Sequence, residues 1–247
     1  MPSPKPRLVL LPGLHGTEEL FEPLVKELGE RFETVCVTYP ADEPLGYGGL
    51  LPLVTSCIPK EKPYFILGES FSGPMAVMAA SRHPKNLLGV ILAASFVTNP
   101  VPSWIARFRK VLRGPLLEAR PRSFLIDRLM GSKSPVLTRN WVKKSLPALP
   151  RDVLAARIES VLTVNVREEL KNLQAPVLYI AGSRDWLVGR KSIDVIWLCR
   201  PDVQIRVLAG VHMILQTDPA GAAAAIMEFS GRQGGNGREG AGLKEAF

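Results

Sequence analysis

The chain has 247 residues, with 31 Lys and Arg against 23 Asp and Glu for a formal net charge of +8, and it is 46% hydrophobic and 22% charged. That balance suits one large globular unit and excludes collagen, a coiled coil and bulk disorder. No run approaches the roughly 18–20 consecutive apolar residues of a membrane helix.

In chain order, the first apolar run, Arg7–Leu11, reads as a strand. It stops at Pro12-Gly13, too short for a signal-peptide core, and no small-residue cleavage site follows. A helix is expected at Glu18–Leu28, a strand at Thr34–Thr38 and a helix at Tyr47–Cys57. A strand at Tyr64–Gly68 leads into a helix at Ser70–Arg82, followed by a strand at Leu87–Ala93. After a long interruption come a strand at Val177–Ala181, a helix at Lys191–Leu198, a strand at Val203–Leu208 and a helix at Pro219–Phe229. The first five strands are apolar almost throughout, as expected of strands covered on both faces. Val203–Val207 alternates, as a strand near a sheet edge would. The alternation of strands and helices predicts an α/β fold: a doubly wound, mostly parallel sheet with reacting groups at the strands' carboxyl ends.

The interruption covers residues 95–174, where helical patterns are broken by prolines and no strand stands out. It reads as a helical lid inserted into a core of residues 1–94 and 175–230, with 231–247 a flexible glycine-rich tail. Between Val101 and Arg151 lie twelve basic and two acidic residues, a net +10, so the basicity of the chain belongs to this segment. Cys36, Cys57 and Cys199 are odd in number, widely spaced and flanked by apolar residues. They read as buried free thiols of a reducing, cytoplasmic compartment.

The chemistry concentrates at Gly68-Glu69-Ser70-Phe71-Ser72-Gly73. A buried strand runs into a serine with small residues two places before and after it, and a helix follows. A sharp strand-to-helix turn of this kind projects a hydroxyl above the sheet edge and needs small neighbours. It also puts the Phe71 N–H at a helix start, where it can receive an oxyanion. Ser72 is the rival nucleophile, but its own second neighbour is Pro74. A serine nucleophile needs a histidine oriented by a carboxylate. Of three histidines, His83 reads as a helix cap and His15 lies in the glycine-rich loop after the first strand. His212 follows the last strand, beyond Asp185, which stands just after strand Val177–Ala181. The alternative acid position, after Leu87–Ala93, offers Ala94-Ser95-Phe96-Val97 and no carboxylate. In the first loop, Leu14 is the second expected oxyanion donor. The dull alternatives are a turn cap for Asp185, a satisfied loop histidine for His212 and a simple tight turn for the loop.

These residues carry a resemblance. The blocks LPGLHGT, GESFSGP, AGSRDWLV and GVHMILQTDP, in a chain similar from Leu8 to about Phe229, resemble α/β-hydrolase-fold serine esterases, and within them a bacterial carboxylesterase subgroup. The resemblance implies Ser70 as nucleophile, Asp185 as acid, His212 as base, and Leu14 and Phe71 as oxyanion amides. His15 departs from the Asp often found there, and is a candidate substrate contact as well as a loop brace. The fold hosts many reactions, so it leaves the substrate open.

The implied activity is carboxylesterase hydrolysis of small to medium acyl esters through an acyl-enzyme. The lid supplies apolar residues such as Trp104, Ile105, Phe108 and Trp141, of which Trp104 and Phe108 are candidate substrate contacts. Its positive excess is either a solvated face or an attraction for an anionic acyl carrier or lipid surface. An alternative is therefore hydrolysis of carrier-linked acyl methyl esters or thioesters; another is a non-catalytic binding protein of the same fold. No metal or organic cofactor is implied, no transmembrane segment, and no nucleic acid, because the basic residues do not interleave with aromatics.

Overall fold

The structure is a computed structural model that describes residues 5–82, 85–100, 139–140, 143 and 149–234. Six strands form one sheet: β1 (Arg7–Leu11), β2 (Glu33–Cys36), β3 (Tyr64–Glu69), β4 (Leu87–Ala93), β5 (Val177–Gly182) and β6 (Gln204–Leu208). Their order is β2-β1-β3-β4-β5-β6, and every pairing is parallel. Among the described residues, the helices with defined bounds are α1 (Glu22–Leu28), α2 (Tyr47–Cys57), α3 (Gly73–Arg82), α4 (Arg151–Thr163), α5 (Arg167–Asn172), α6 (Gly189–Cys199), α7 (Ile214–Thr217) and α8 (Pro219–Gly234). Short 3-10 turns precede α1 and α3 and follow α1.

Side chains alternate across the sheet with the period of two that a pleated strand imposes. Val9, Leu11, Ile66, Val90, Leu92 and Tyr179 face one layer with Met75, Ala76 and Ala79 of α3 and Leu170 of α5. Leu8, Leu10, Phe65, Leu67, Ile91 and Ile180 face the other, with Leu24 of α1 and Ile226 and Phe229 of α8. Burying one such Leu, Ile or Phe is worth about 1.5–3 kcal/mol. Both layers of helix thus lock the central strands between them.

The structure departs from the sequence expectations in four places. β2 is half-exposed along its length because, among the described residues, it forms a sheet edge with a neighbour on one side only. Residues 164–173, expected in the insertion, join the core: Val164, Val166, Leu170 and Leu173 are buried in the first layer. An isolated antiparallel bridge, Thr98 to Asn165, helps to hold them there, where no strand pairing was expected. α8 runs on through Gly234, four residues into the expected tail, with Arg232 paired to Glu228 one turn back. The three cysteines are free but half-buried rather than buried. His83, Trp104, Ile105, Phe108, Trp141 and most of the basic segment lie outside the described residues.

Candidate active site

The chain crosses from β2 back over β1 to β3, so the direction of winding reverses between β1 and β3. Doubly wound sheets bind ligands at such a reversal, beyond the strand carboxyl ends. Leu11 is in register with Gly68, so the loop after β1 and the turn after β3 leave the sheet side by side.

Ser70 stands at that turn with φ of +48°, a left-handed conformation strained for any residue with a Cβ. Its neighbours explain how the strain is held. A Cβ on Gly68 would stand 2.5 Å from the Ser72 carbonyl oxygen, and one on Gly73 would stand 1.8 Å from Ser95 Oγ. The glycine displaced by one place from the commoner pattern is therefore required here by Ser95. The Ser95 hydroxyl donates to the Ser70 carbonyl at 2.5 Å, and its own carbonyl accepts from Tyr179 at 2.7 Å. Ser72, the rival nucleophile, is fully buried. Its hydroxyl donates to the Pro12 carbonyl and lies 2.6 Å from the Tyr39 hydroxyl, joining the serine turn to the loop after β1.

Ser70 Oγ lies 2.8 Å from His212 Nε2, and His212 Nδ1 lies 2.9 Å from Asp185 Oδ2. Asp185 Oδ1 accepts from the backbone N–H groups of Leu187 (2.9 Å) and Val188 (3.1 Å), which aims the other oxygen at the imidazole. The loops carrying the pair are bound to each other, Arg184 N–H donating to the Gly210 carbonyl at 2.8 Å. Burial works to raise the Asp185 carboxyl, but the His212 hydrogen bond and charge and the two N–H donors outweigh it and hold it below its ordinary value. The structure thus brings Ser70, His212 and Asp185 within hydrogen-bond distance in one chain of contacts. Each leaves the end of a different strand.

The loop after β1 closes on itself, Gly16 N–H donating to the Gly13 carbonyl at 3.0 Å. The carbonyl of Leu14 accepts from Arg157 at 2.7 Å and that of Phe71 accepts from the Tyr47 hydroxyl at 2.7 Å. The two residues expected to donate to an oxyanion are thereby held from behind. His15 Nε2 is buried without a hydrogen-bond partner among the described residues. Burial, with the charge of Arg157 adding to it, lowers the imidazole to about 4 despite a hydrogen bond with the Thr17 backbone. His15 is thus neutral near pH 7, and the residue as a whole is half-buried.

Glu69, one place before Ser70, is buried, and Gln216 Nε2 donates to its Oε1 at 2.8 Å. Burial raises this carboxyl above the usual range, against the opposing pull of Gln216, His212 and the Gly13 backbone. Sequence reasoning passed over Glu69, Gln216, Tyr39, Tyr47, Ser95 and Arg157. The last left a trace: Arg157 sits four residues after Val153 on the buried face of α4, where an apolar residue belongs. Among the described residues, no three His, Cys, Asp or Glu side chains group as metal ligands would, and no helix is long and apolar enough to cross a membrane.

Comparison with known proteins agrees with this geometry at the level of family. A pimeloyl-[acyl-carrier protein] methyl ester esterase of Salmonella agona is 27% identical over 236 residues, spanning 89% of this chain and 92% of that protein. A solved lipase-esterase related protein from Clostridium acetobutylicum superposes with a TM-score of 0.76 at 15% identity, covering 92% of this chain and 95% of its own. A solved structure from a study of carboxylesterases of Nitrososphaera gargenis gives a TM-score of 0.76 at 15% identity, covering 93% of this chain and 91% of its own. The model of the alpha/beta hydrolase family matches residues 8–225, and the chain belongs to that family.

Proposed function

We propose that the chain is a serine-dependent carboxylesterase acting on small to medium acyl esters, with Ser70 as nucleophile, His212 as general base and acid, Asp185 as the orienting carboxylate, and the Leu14 and Phe71 N–H groups as oxyanion donors. The observation that carries this reading is the unbroken relay from Ser70 Oγ through both ring nitrogens of His212 to Asp185, at 2.8 and 2.9 Å. With Asp185 accepting from Nδ1–H, the Nε2 lone pair faces the serine hydroxyl. Attack of Oγ on the ester carbonyl passes the hydroxyl proton to Nε2, and the negative oxygen of the tetrahedral intermediate enters the amide pair. Collapse expels the alcohol, which takes the proton from Nε2 and leaves the acyl group on Oγ. Water then gives a proton to the same nitrogen and attacks the acyl carbonyl. The second collapse releases the acid and returns the proton to Ser70.

A second reading is supported by the charge of the chain. The relative from Salmonella agona is named for an acyl-carrier-linked methyl ester, and residues 101–151 here carry a net +10. An acidic carrier would be drawn to such a segment, and an anionic lipid surface equally. The free thiols fit a reducing, cytoplasmic setting.

The test is turnover of p-nitrophenyl esters from acetate to laurate by the wild type and by Ser70→Ala. The substitution is expected to reduce turnover to background. Unchanged turnover rejects the relay, and a wild type inert on every ester favours a non-catalytic binding protein of the same fold. A steep fall with salt on carrier-linked substrate alone separates the second reading from the first.

A further inference from the structure

Arg157 is fully buried, on the first helix described after the basic segment, and no carboxylate among the described residues pairs with it. Its guanidinium is held by neutral groups. Nη1 donates to the Leu14 carbonyl at 2.7 Å, Nη2 donates to the Pro40 carbonyl at 2.8 Å, and Cζ lies 5.7 Å from the centre of the Tyr39 ring. Taking a cation out of water without an anion is costly, so net stability is a poor account of this residue. What an apolar side chain cannot do is hold two backbone carbonyls at a set separation, which the rigid planar fork of arginine does.

Both carbonyls matter to the site. Leu14 carries one proposed oxyanion N–H, and Pro40 follows Tyr39, whose hydroxyl lies on Ser72 in the nucleophile turn. The loop makes room for the fork: Gly16 has φ of +81°, and a Cβ there would stand 2.8 Å from Nη1. The same helix is fastened one turn later, where Ser160 Oγ accepts the Tyr47 N–H at 3.1 Å, and the Tyr47 hydroxyl holds the Phe71 carbonyl. α4 therefore reaches both oxyanion residues from behind, Leu14 directly and Phe71 through Tyr47.

We propose that Arg157 is a positioning residue for the oxyanion hole, setting the Leu14 peptide from the helix behind it. This rests on the acyl-enzyme reading above. It implies that Arg157 acts on the transition state and leaves substrate affinity alone, because it touches neither the scissile bond nor the relay.

The experiment compares full-length wild type, Arg157→Lys and Arg157→Met. The measurements are kcat and KM on p-nitrophenyl butyrate, the melting temperature, and the inhibition constant of an alkyl trifluoromethyl ketone, whose serine adduct carries an oxyanion. Arg157→Met is expected to lower kcat and ketone affinity together by roughly 10- to 1000-fold, with KM within about threefold. Arg157→Lys, with one donor point for two carbonyls, is expected to fall between. If Arg157→Met does not fold, Arg157→Lys decides alone. Wild-type kcat and ketone affinity in a folded variant, whatever its melting temperature, overturn the proposal, and so does failure of both variants to fold, which makes the residue a structural support. Failure of the underlying reading is seen separately, as Ser70→Ala retaining wild-type turnover.

Discussion

Gln216 spans three parts of the active-site rim: its amide nitrogen donates to Glu69 Oε1 at 2.8 Å and to the Leu20 carbonyl at 3.2 Å. The residue before Ser70, the helix after His212 and the turn after the first loop are thus joined through one side chain. Gln216→Leu fills the same space but strands a buried carboxyl and a buried carbonyl. Its expected cost is about 1–3 kcal/mol, a fall in melting temperature of roughly 2–4 °C for each kcal/mol in a chain of this size. Scanning calorimetry checks it, and an unchanged melting temperature would mean that the three parts are held elsewhere.

Glu69 and Asp185 predict opposite pH dependences. The folded state holds Asp185 below its ordinary value, so its contribution to stability is present above the carboxylate range and is lost as pH falls through the folded value. Glu69 is raised, so its folded form favours the proton, and stability is lost as pH rises from the ordinary carboxylate range through the raised value. Denaturant titrations at about pH 3, 4.5 and 7 separate the two. Wild type is expected to lose ground to Asp185→Asn towards acid, and to lose ground to Glu69→Gln towards neutrality. The reverse order in either pair refutes the corresponding assignment.

The buried Ser72 hydroxyl links Tyr39 to Pro12, whereas that of Ser70 faces His212. Ser72→Ala is therefore expected to lower stability by about 1–3 kcal/mol, the cost of leaving buried polar groups unpaired, while ester turnover persists. Turnover lost in Ser72→Ala and kept in Ser70→Ala would exchange the two roles.

Gly73 and Ser95 are coupled by contact. Gly73→Ala drives a methyl group into the Ser95 side chain, 1.8 Å from Oγ and 2.7 Å from Cβ, and is expected to destabilise by about 1–3 kcal/mol. Ser95→Gly removes both obstructing atoms, so the double variant is expected to be more stable than the two single losses added together. Strict additivity in chemical denaturation would place the strain elsewhere.

Strand positions were legible because five runs are apolar enough to be read without their neighbours. Which strand lies at an edge was legible for β6, whose Gln204 and Arg206 alternate with apolar residues. It was not legible for β2, since edge position follows from the β2-to-β3 crossover and leaves no mark on Glu33–Cys36. The core position of residues 164–173 was hidden for a related reason: prolines and helical patterns upstream drew the whole segment into the insertion. At the site, Ser70, Asp185 and His212 could be listened for at strand ends, where local pattern and chain order both point. The supports around them are pairings across 24 to 196 positions, Tyr47 to Phe71 and Leu20 to Gln216 being the extremes, and such contacts have no local signature.

Ser70 meets His212 across 142 positions, and the meeting needs β5 and β6 already seated on the sheet. At a synthesis rate of roughly 5–20 residues per second, the serine is made about 7–28 s before its imidazole. A chain interrupted anywhere in that interval can fold its first strands yet offers no activated hydroxyl. On the proposed esterase reading, a reagent that acylates Ser70 therefore counts the molecules in which β5 and β6 have closed onto the sheet.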